Sequence, residues 1–116
     1  MATPELDLLR GTLDVLVLKA LSWGQQHGHA VSAWIRETTA DDLQIEDGAL
    51  YTALHRLERR NLVSSEWGLS EHNRKAKYYQ LTEMGRAELR REARRFSRYA
   101  DAVFKVLRAE RFAPAR

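Results

Sequence analysis

Two groups of residues in this chain have types and spacing that suit chemistry on a polyanion. Residues 48–59 read Gly-Ala-Leu-Tyr-Thr-Ala-Leu-His-Arg-Leu-Glu-Arg. At about 100° per residue, a helix over this stretch points Leu50, Leu54 and Leu57 one way and Gly48, Thr52, His55, Arg56 and Arg59 the other. The outer set carries hydrogen-bonding tips of different lengths. Thr52 suits a thymine methyl or a base edge, and His55 and Arg56 reach base acceptors, arginine being the commonest reader of guanine. Gly48 and Ala49 add no bulk, so the helix start can approach a phosphate. Tyr51, on the flank, can hydrogen-bond a phosphate while its ring packs on the core. The second group is Asn73, Arg74, Lys75 and Lys77, in and beside the polar segment Ser70–Ala76. Cations at such a tip suit neutralisation of backbone phosphates, which carries no base information. For each group alone, an ordinary solvated face is the plainer reading.

The elements that must position these residues follow from periodicity. Leu13, Leu16, Val17, Ala20 and Leu21 predict a first helix, capped by Thr12 and ending before Gly24. Gly28 opens a second helix with Val31, Ile35, Thr38 and Trp34 on its buried stripe. After a break at Ala40–Asp42, a third helix starts near Asp47, which can cap it, and runs to about Asn61. Leu62–Leu69 then alternates, with Val63, Ser65, Trp67 and Leu69 on one face, and Lys77–Leu81 is a second strand-like run. Two strands around a basic loop make a hairpin. Thr82 caps a last helix running to roughly Ala109, before a tail at Pro114. The expected fold class is mainly α with a small β-hairpin: a winged helix-turn-helix over residues 6–81 and a long C-terminal dimerisation helix over 82–110.

That last helix carries Leu89, Ala93, Phe96, Ala100, Val103 and Leu107 at spacings of 4, 3, 4, 3 and 4, an apolar seam of heptad type. A second copy of the chain is the simplest cover for it. The alternatives are that it folds back on its own domain, or lies on anionic lipid, for which the face is narrow.

Composition bounds the rest. The 116 residues are one domain's worth, 44% hydrophobic and 30% charged, with no cysteine for disulfides or thiolate metal sites. The net charge of +3 is unevenly placed: residues 1–54 hold three basic and eight acidic residues, 55–79 six and three, and 80–116 ten and five. The basic half is where a polyanion would bind. No signal peptide opens the chain and no apolar run can span a bilayer, so a cytoplasmic protein without a membrane partner is expected. Neither a His-Glu-x-x-His pattern nor a glycine-rich phosphate loop is present, and Asp41 and Asp42 read as loop residues, so neither an enzyme nor a cofactor is expected. His27 and His29, two apart in a predicted loop, leave metal sensing as a minor alternative. Trp23, Trp34 and Trp67 read most simply as core or dimer-interface anchors, or as flat surfaces for a planar effector.

Four segments together resemble a known family. Leu9-Arg-Gly-Thr-Leu-Asp-Val-Leu-Val-Leu18, Gly28-His-Ala30, Gly48-Ala-Leu-Tyr-Thr-Ala-Leu-His-Arg-Leu-Glu58 and Lys77-Tyr-Tyr-Gln-Leu-Thr-Glu-Met-Gly85 are similar to the successive signatures of PadR-type regulators, over roughly residues 6–90. The single C-terminal helix is similar to the smaller subfamily. The resemblance implies a bacterial, homodimeric winged-helix repressor of inverted-repeat sites on double-stranded DNA, often released by a small molecule. It implies DNA contact by Tyr51, the outer face of its helix and the wing around Arg74–Lys77. Thr52 stands where the family usually has proline, and Asn61 where glycine is usual. Asn tolerates the left-handed cap conformation, while Thr52 bears on which bases are read. The rival reading is a winged-helix protein–protein module that binds no DNA.

Overall fold

The apolar spacing of the first third produces two helices joined by a short extended segment. In the computed structural model, which describes residues 11–111, these are α1 (Thr12–Leu21), β1 (Gln26–His27) and α2 (Gly28–Thr38). α3 (Asp47–Arg59), the hairpin strands β2 (Val63–Leu69) and β3 (Lys75–Leu81), and α4 (Glu83–Leu107) follow. Residues 6–10, expected to begin the first unit, and the Pro114 tail lie outside the described residues. β3 is the middle strand of a three-stranded antiparallel sheet, order β1-β3-β2. The hairpin register runs from Val63 opposite Leu81 to Leu69 opposite Lys75.

One core joins these elements. Val17, Leu18 and Leu21 of α1 meet Val31 and Ile35 of α2, the four buried residues of α3 (Leu50, Ala53, Leu54, Leu57), Leu62 and Val63, and Tyr79 and Leu81 of β3. Full burial of each large side chain stabilises by roughly 1.5–3 kcal/mol, so α3 cannot roll without exposing one of its three leucines. Burial also holds the Tyr79 hydroxyl above its ordinary titration range, with Tyr51 and Glu58 adding to the effect.

The turn from α3 into β2 and the start of α4 are tied together. Asn61 takes the left-handed conformation at φ 61°. Its amide bonds the Glu58 carbonyl at 3.0 Å, and the Leu62 amide bonds that of Leu57 at 3.0 Å, the paired bonds of a Schellman ending. Thr82 caps α4 by accepting from the Gly85 amide at 3.0 Å, and its hydroxyl donates to the Asn61 carbonyl at 2.7 Å. The Thr82 amide bonds the Leu62 carbonyl at 3.1 Å. Gly85 lies so close to that carbonyl oxygen that a Cβ would collide with it.

Several sequence expectations need correction. Thr12 is the first residue of α1 and not its cap; Gly11 holds that place at φ 87°, a conformation glycine adopts freely. Glu46, not Asp47, is the N-cap residue of α3, and it makes no side-chain cap bond; Asp47 sits in the first turn, where its charge favours the helix dipole. Thr38 is exposed, because α2 ends there and its last turn leaves the core. α3 stops at Arg59 and α4 at Leu107. Lys75 and Ala76 belong to β3 rather than to the loop, and β1 was not expected at all: a two-residue strand has no period to read. Trp34 packs against the core, but Trp23 and Trp67 are exposed and anchor nothing inside it.

α4 begins on the core, with Gly85 buried and Leu89 packed against it. Farther along, Phe96, Val103 and Leu107 of the seam are exposed, as are Tyr99, Phe104 and Val106. The chain's own described residues therefore leave the distal seam uncovered.

The two glycines with opposite surroundings make a stability test. Gly85→Ala should destabilise by roughly 3 kcal/mol or more, because its neighbour is backbone that cannot step aside. Gly48 has open space where a Cβ would go, so Gly48→Ala should raise stability by up to about 1 kcal/mol. Urea unfolding midpoints of both variants check the pair.

Candidate nucleic-acid interface

With its leucines buried, α3 presents Gly48, Tyr51, Thr52, His55 and Arg59 to solvent. Tyr51 is held in place from behind. Its ring and hydroxyl lie against the start of α2 so closely that a Cβ on Gly28 would come within 2.8 Å of them. The glycine of Gly28-His-Ala30 and the tyrosine of α3 are thus one packing unit. His27 accepts the Ala30 amide on its Nδ1 at 3.1 Å and caps α2, so His27 and His29 sit in a strand and a helix, not in the loop expected of them.

Arg56 differs from its neighbours. Its guanidinium makes two bonds to the Asp14 carboxylate of α1, one from Nε at 3.2 Å. This pairing, ahead of Coulomb attraction to the same carboxylate, stabilises its charge. Expected from the helical wheel to reach bases, Arg56 is instead engaged in bracing α3 against α1. Nothing in the sequence signals a partner 42 residues away. One turn further on, at the C-cap of α3, Arg60 donates to Glu88 of α4 at 3.2 Å, and Arg91 donates to the same carboxylate. Glu58 accepts from Ser65 at 2.5 Å, fastening α3 to β2.

The hairpin tip is a compact turn. The Ser70 amide bonds the Arg74 carbonyl at 2.8 Å, the Asn73 amide bonds that of Ser70 at 2.9 Å, and Asn73 takes φ 58°. Arg74 and Lys75 are exposed. Lys75 and Lys77 both lie over the Trp67 ring, at 5.0 and 5.9 Å from its centroid. Trp67, 62% exposed, is therefore a platform under two ammonium groups. Sequence reasoning missed this, although the register was available in principle: Trp67 pairs directly with Lys77 across the hairpin. Among the described residues, Arg59, Arg74, Lys75 and Lys77 enter no ion pair.

α3 and the hairpin face one another across an open cleft of about 640 Å³. Tyr51 and His55 line it from α3, Trp67 from β2, and Arg74, Lys75 and Lys77 from the tip and β3. The exposed face of α3 and a basic hairpin thus share one concave surface. Asn73 lies at the tip beside Arg74; Thr52, Gly48 and Arg59 lie on the exposed face of α3 outside the cleft lining. Among the described residues no group of three or more histidine, aspartate or glutamate side chains is placed to hold a metal ion, and no helix is long and apolar enough to cross a membrane.

A model of the PadR-like transcriptional regulator family matches residues 17–91. The chain belongs to that family. An uncharacterized protein of Lysinibacillus sphaericus is 31% identical over 83 residues, covering 72% of this chain and 76% of that protein. A 37.1 kDa protein encoded in a Streptomyces fradiae transposon is 38% identical over 91 residues, but this chain spans only 25% of its length. Among solved structures, a transcriptional regulator from Clostridium thermocellum matches with a TM-score of 0.75 at 27% identity, covering 83% of this chain and 93% of that one. A PadR family regulator from Eggerthella lenta matches at 0.71 and 33%, covering 84% and 83%. The winged-helix fold expected from the sequence is the fold of this family, and the PadR-like chain is a DNA-binding transcriptional regulator rather than an enzyme.

The Glu88 bridge makes the seating of α3 on α4 sensitive to acid. The Arg91 hydrogen bond, with Arg60 assisting and burial opposing, holds the Glu88 carboxyl below its ordinary value of 4.5. A carboxyl whose value is lowered by folding contributes stability that is present above its unfolded value and lost as pH falls through the lower folded one. Glu88→Gln should therefore cost on the order of 1 kcal/mol near neutrality, given half-exposed arginine partners. The deficit should shrink as pH falls below 4.5 and through the lowered value at which the folded wild-type carboxyl takes up its proton. Urea midpoints at both pH values give the comparison.

Proposed function

We propose that this PadR-like regulator acts as a cytoplasmic homodimeric repressor that binds an inverted repeat, with α3 in the major groove and the hairpin on the flanking backbone. The observation that carries this reading is the shared cleft: an outward face of small and hydrogen-bonding side chains on α3 stands across from cations with no ion-pair partner among the described residues. A major groove about 12 Å wide admits one helix. Nothing inside the protein requires Gly48 to be small, which agrees with a requirement set by DNA at the helix start. Thr52, His55 and Arg59 are the base-reading set in this assignment. Arg56 is reassigned to positioning, since turning it to a base would leave Asp14, 18% exposed, without its partner. Gly48, Tyr51, Asn73, Arg74, Lys75 and Lys77 meet the backbone.

The dimer rests on the uncovered stretch of α4. The seam of Leu89, Ala93, Phe96, Ala100, Val103 and Leu107 pairs with a second copy, and the exposed Tyr99, Phe104 and Val106 widen it. A hollow of about 350 Å³ between α1 and α4, walled by Thr12, Val15, Glu92, Arg95, Phe96 and Tyr99, is where a small effector with both apolar and polar groups would reach the dimer helix.

Two experiments test this reading. Phe96→Glu with Val103→Glu should yield a monomer in sedimentation, since burying like charges in a dry contact costs several kcal/mol, and DNA affinity should fall with it. A dimer that survives overturns this use of α4. For the wing, Arg74→Ala with Lys75→Ala removes up to about four phosphate contacts from a dimer, so the slope of log K against log salt should become shallower by about 3 to 4. Affinity should drop alike on specific and random duplexes, with site preference intact. An unchanged slope takes the hairpin off DNA and favours the protein-docking alternative.

A further inference from the structure

All four histidines of the chain line the cleft between α3 and the hairpin. They arrive from four different elements: His27 from β1, His29 from α2, His55 from α3 and His72 from the hairpin tip. No spacing in the sequence brings them together; the tertiary fold does. His29, His55 and His72 are exposed. His27 is half-buried, its ring 6.3 Å from that of His29 and 5.7 Å from that of Tyr78.

Histidine is the side chain whose charge ordinarily changes between about pH 5 and 8. Its neighbours here decide what each ring can do. From α3 the cleft presents Tyr51, from β2 Trp67, and from β3 Lys75, Lys77 and Tyr79; Arg74 joins from the tip. Arg74, Lys75 and Lys77 make the cleft basic. The acids near the rim are Glu71, 3.8 Å from His72, and Glu46 and Asp47, which share a second hollow with His29 and Arg36. His27 is committed elsewhere. Its Nδ1 accepts the Ala30 amide, and a second proton there would abolish the cap of α2. The remaining three rings have no such commitment.

We propose that His29 and His72 are further DNA contacts and that they, together with the base-reading His55, take up protons from solvent when a phosphodiester strand enters the cleft, so that DNA binding strengthens as pH falls. The inference rests on the reading of the cleft as the DNA seat. Entry of the polyanion reverses the electrostatics: phosphates neutralise Arg74, Lys75 and Lys77, and each imidazolium then gains an anionic or acceptor partner for both N–H groups. By linkage, each ring that goes from neutral to charged on binding steepens the pH dependence of log K by up to about one per pH unit. His27 stays outside the set, holding the helix that backs Tyr51.

The test uses the full chain and a mixed-sequence DNA duplex, at constant salt, with binding isotherms between about pH 6 and pH 8. Affinity should rise about tenfold or more for each pH unit of acidification, and calorimetry in buffers of different ionisation heat should register proton uptake. His29→Gln, His55→Gln and His72→Gln combined should flatten the pH dependence, while the dependence of affinity on salt set by Arg74, Lys75 and Lys77 persists. Circular dichroism of the free variant at each pH checks that it is folded. Wild-type binding that is flat with pH overturns this inference and leaves the DNA reading standing. A slope that survives in the folded triple variant also overturns it, since the protons then come from elsewhere. Failure of the wild type to bind the duplex at any pH overturns the DNA reading and this inference together.

Discussion

The contact between Gly85 and the Leu62 carbonyl is the constraint on which the arrangement depends. Leu62 follows the left-handed Asn61 at the end of α3, and Gly85 lies in the first turn of α4. Their approach brings the end of α3, the base of the hairpin and the start of the long helix to one point. Thr82 completes the junction by capping α4 while donating back to Asn61. The Thr-x-x-Gly pattern there thus has two physical causes, an N-cap and a close backbone approach. Moving any one of the three elements would pull a backbone hydrogen bond out of a part-buried site, where an unpaired group is costly.

From this junction the DNA face follows. α3 is locked in rotation by its buried leucines and, at its C-terminal end, by Arg56 on Asp14 and Arg60 on Glu88. Its outer face is therefore presented at a set angle to the hairpin, whose cations are spread over Trp67. Electrostatics of opposite kinds serve the two jobs. Cations that orient the scaffold are paired with carboxylates, and cations facing the cleft have no such partners among the described residues. A paired arginine contributes to position, whereas an unpaired one keeps its charge available for phosphate.

The same division runs along α4. Its first turns are spent on the core through Gly85 and Leu89, and its charged flank on Glu88, Arg91, Glu92 and Arg95. Among the described residues, Val103, Phe104, Val106 and Leu107 remain exposed. A helix of 25 residues extends roughly 37 Å, well beyond what a core of this size can cover.

The amino-acid sequence by itself determined the element order, the buried face of α3, the cap at Thr82, the left-handed Asn61 and the family, because these depend on local periodicity, local backbone preference and motifs written in contiguous residues. It also placed Gly48, Thr52, His55, Arg56 and Arg59 on the outer face of α3, with Tyr51 on the flank, by helical geometry alone. Only the tertiary structure decided which of the polar residues were free. The engagement of Arg56 by Asp14, the lysines over Trp67, the seating of Tyr51 on Gly28 and the meeting of four histidines in one cleft all join residues from separate elements. Where each chain segment lies relative to the others depends on how the core packs, and periodicity within a segment contains no record of that. β1 shows the same limit at the smallest scale: two residues become a strand only because β3 offers an edge to pair with.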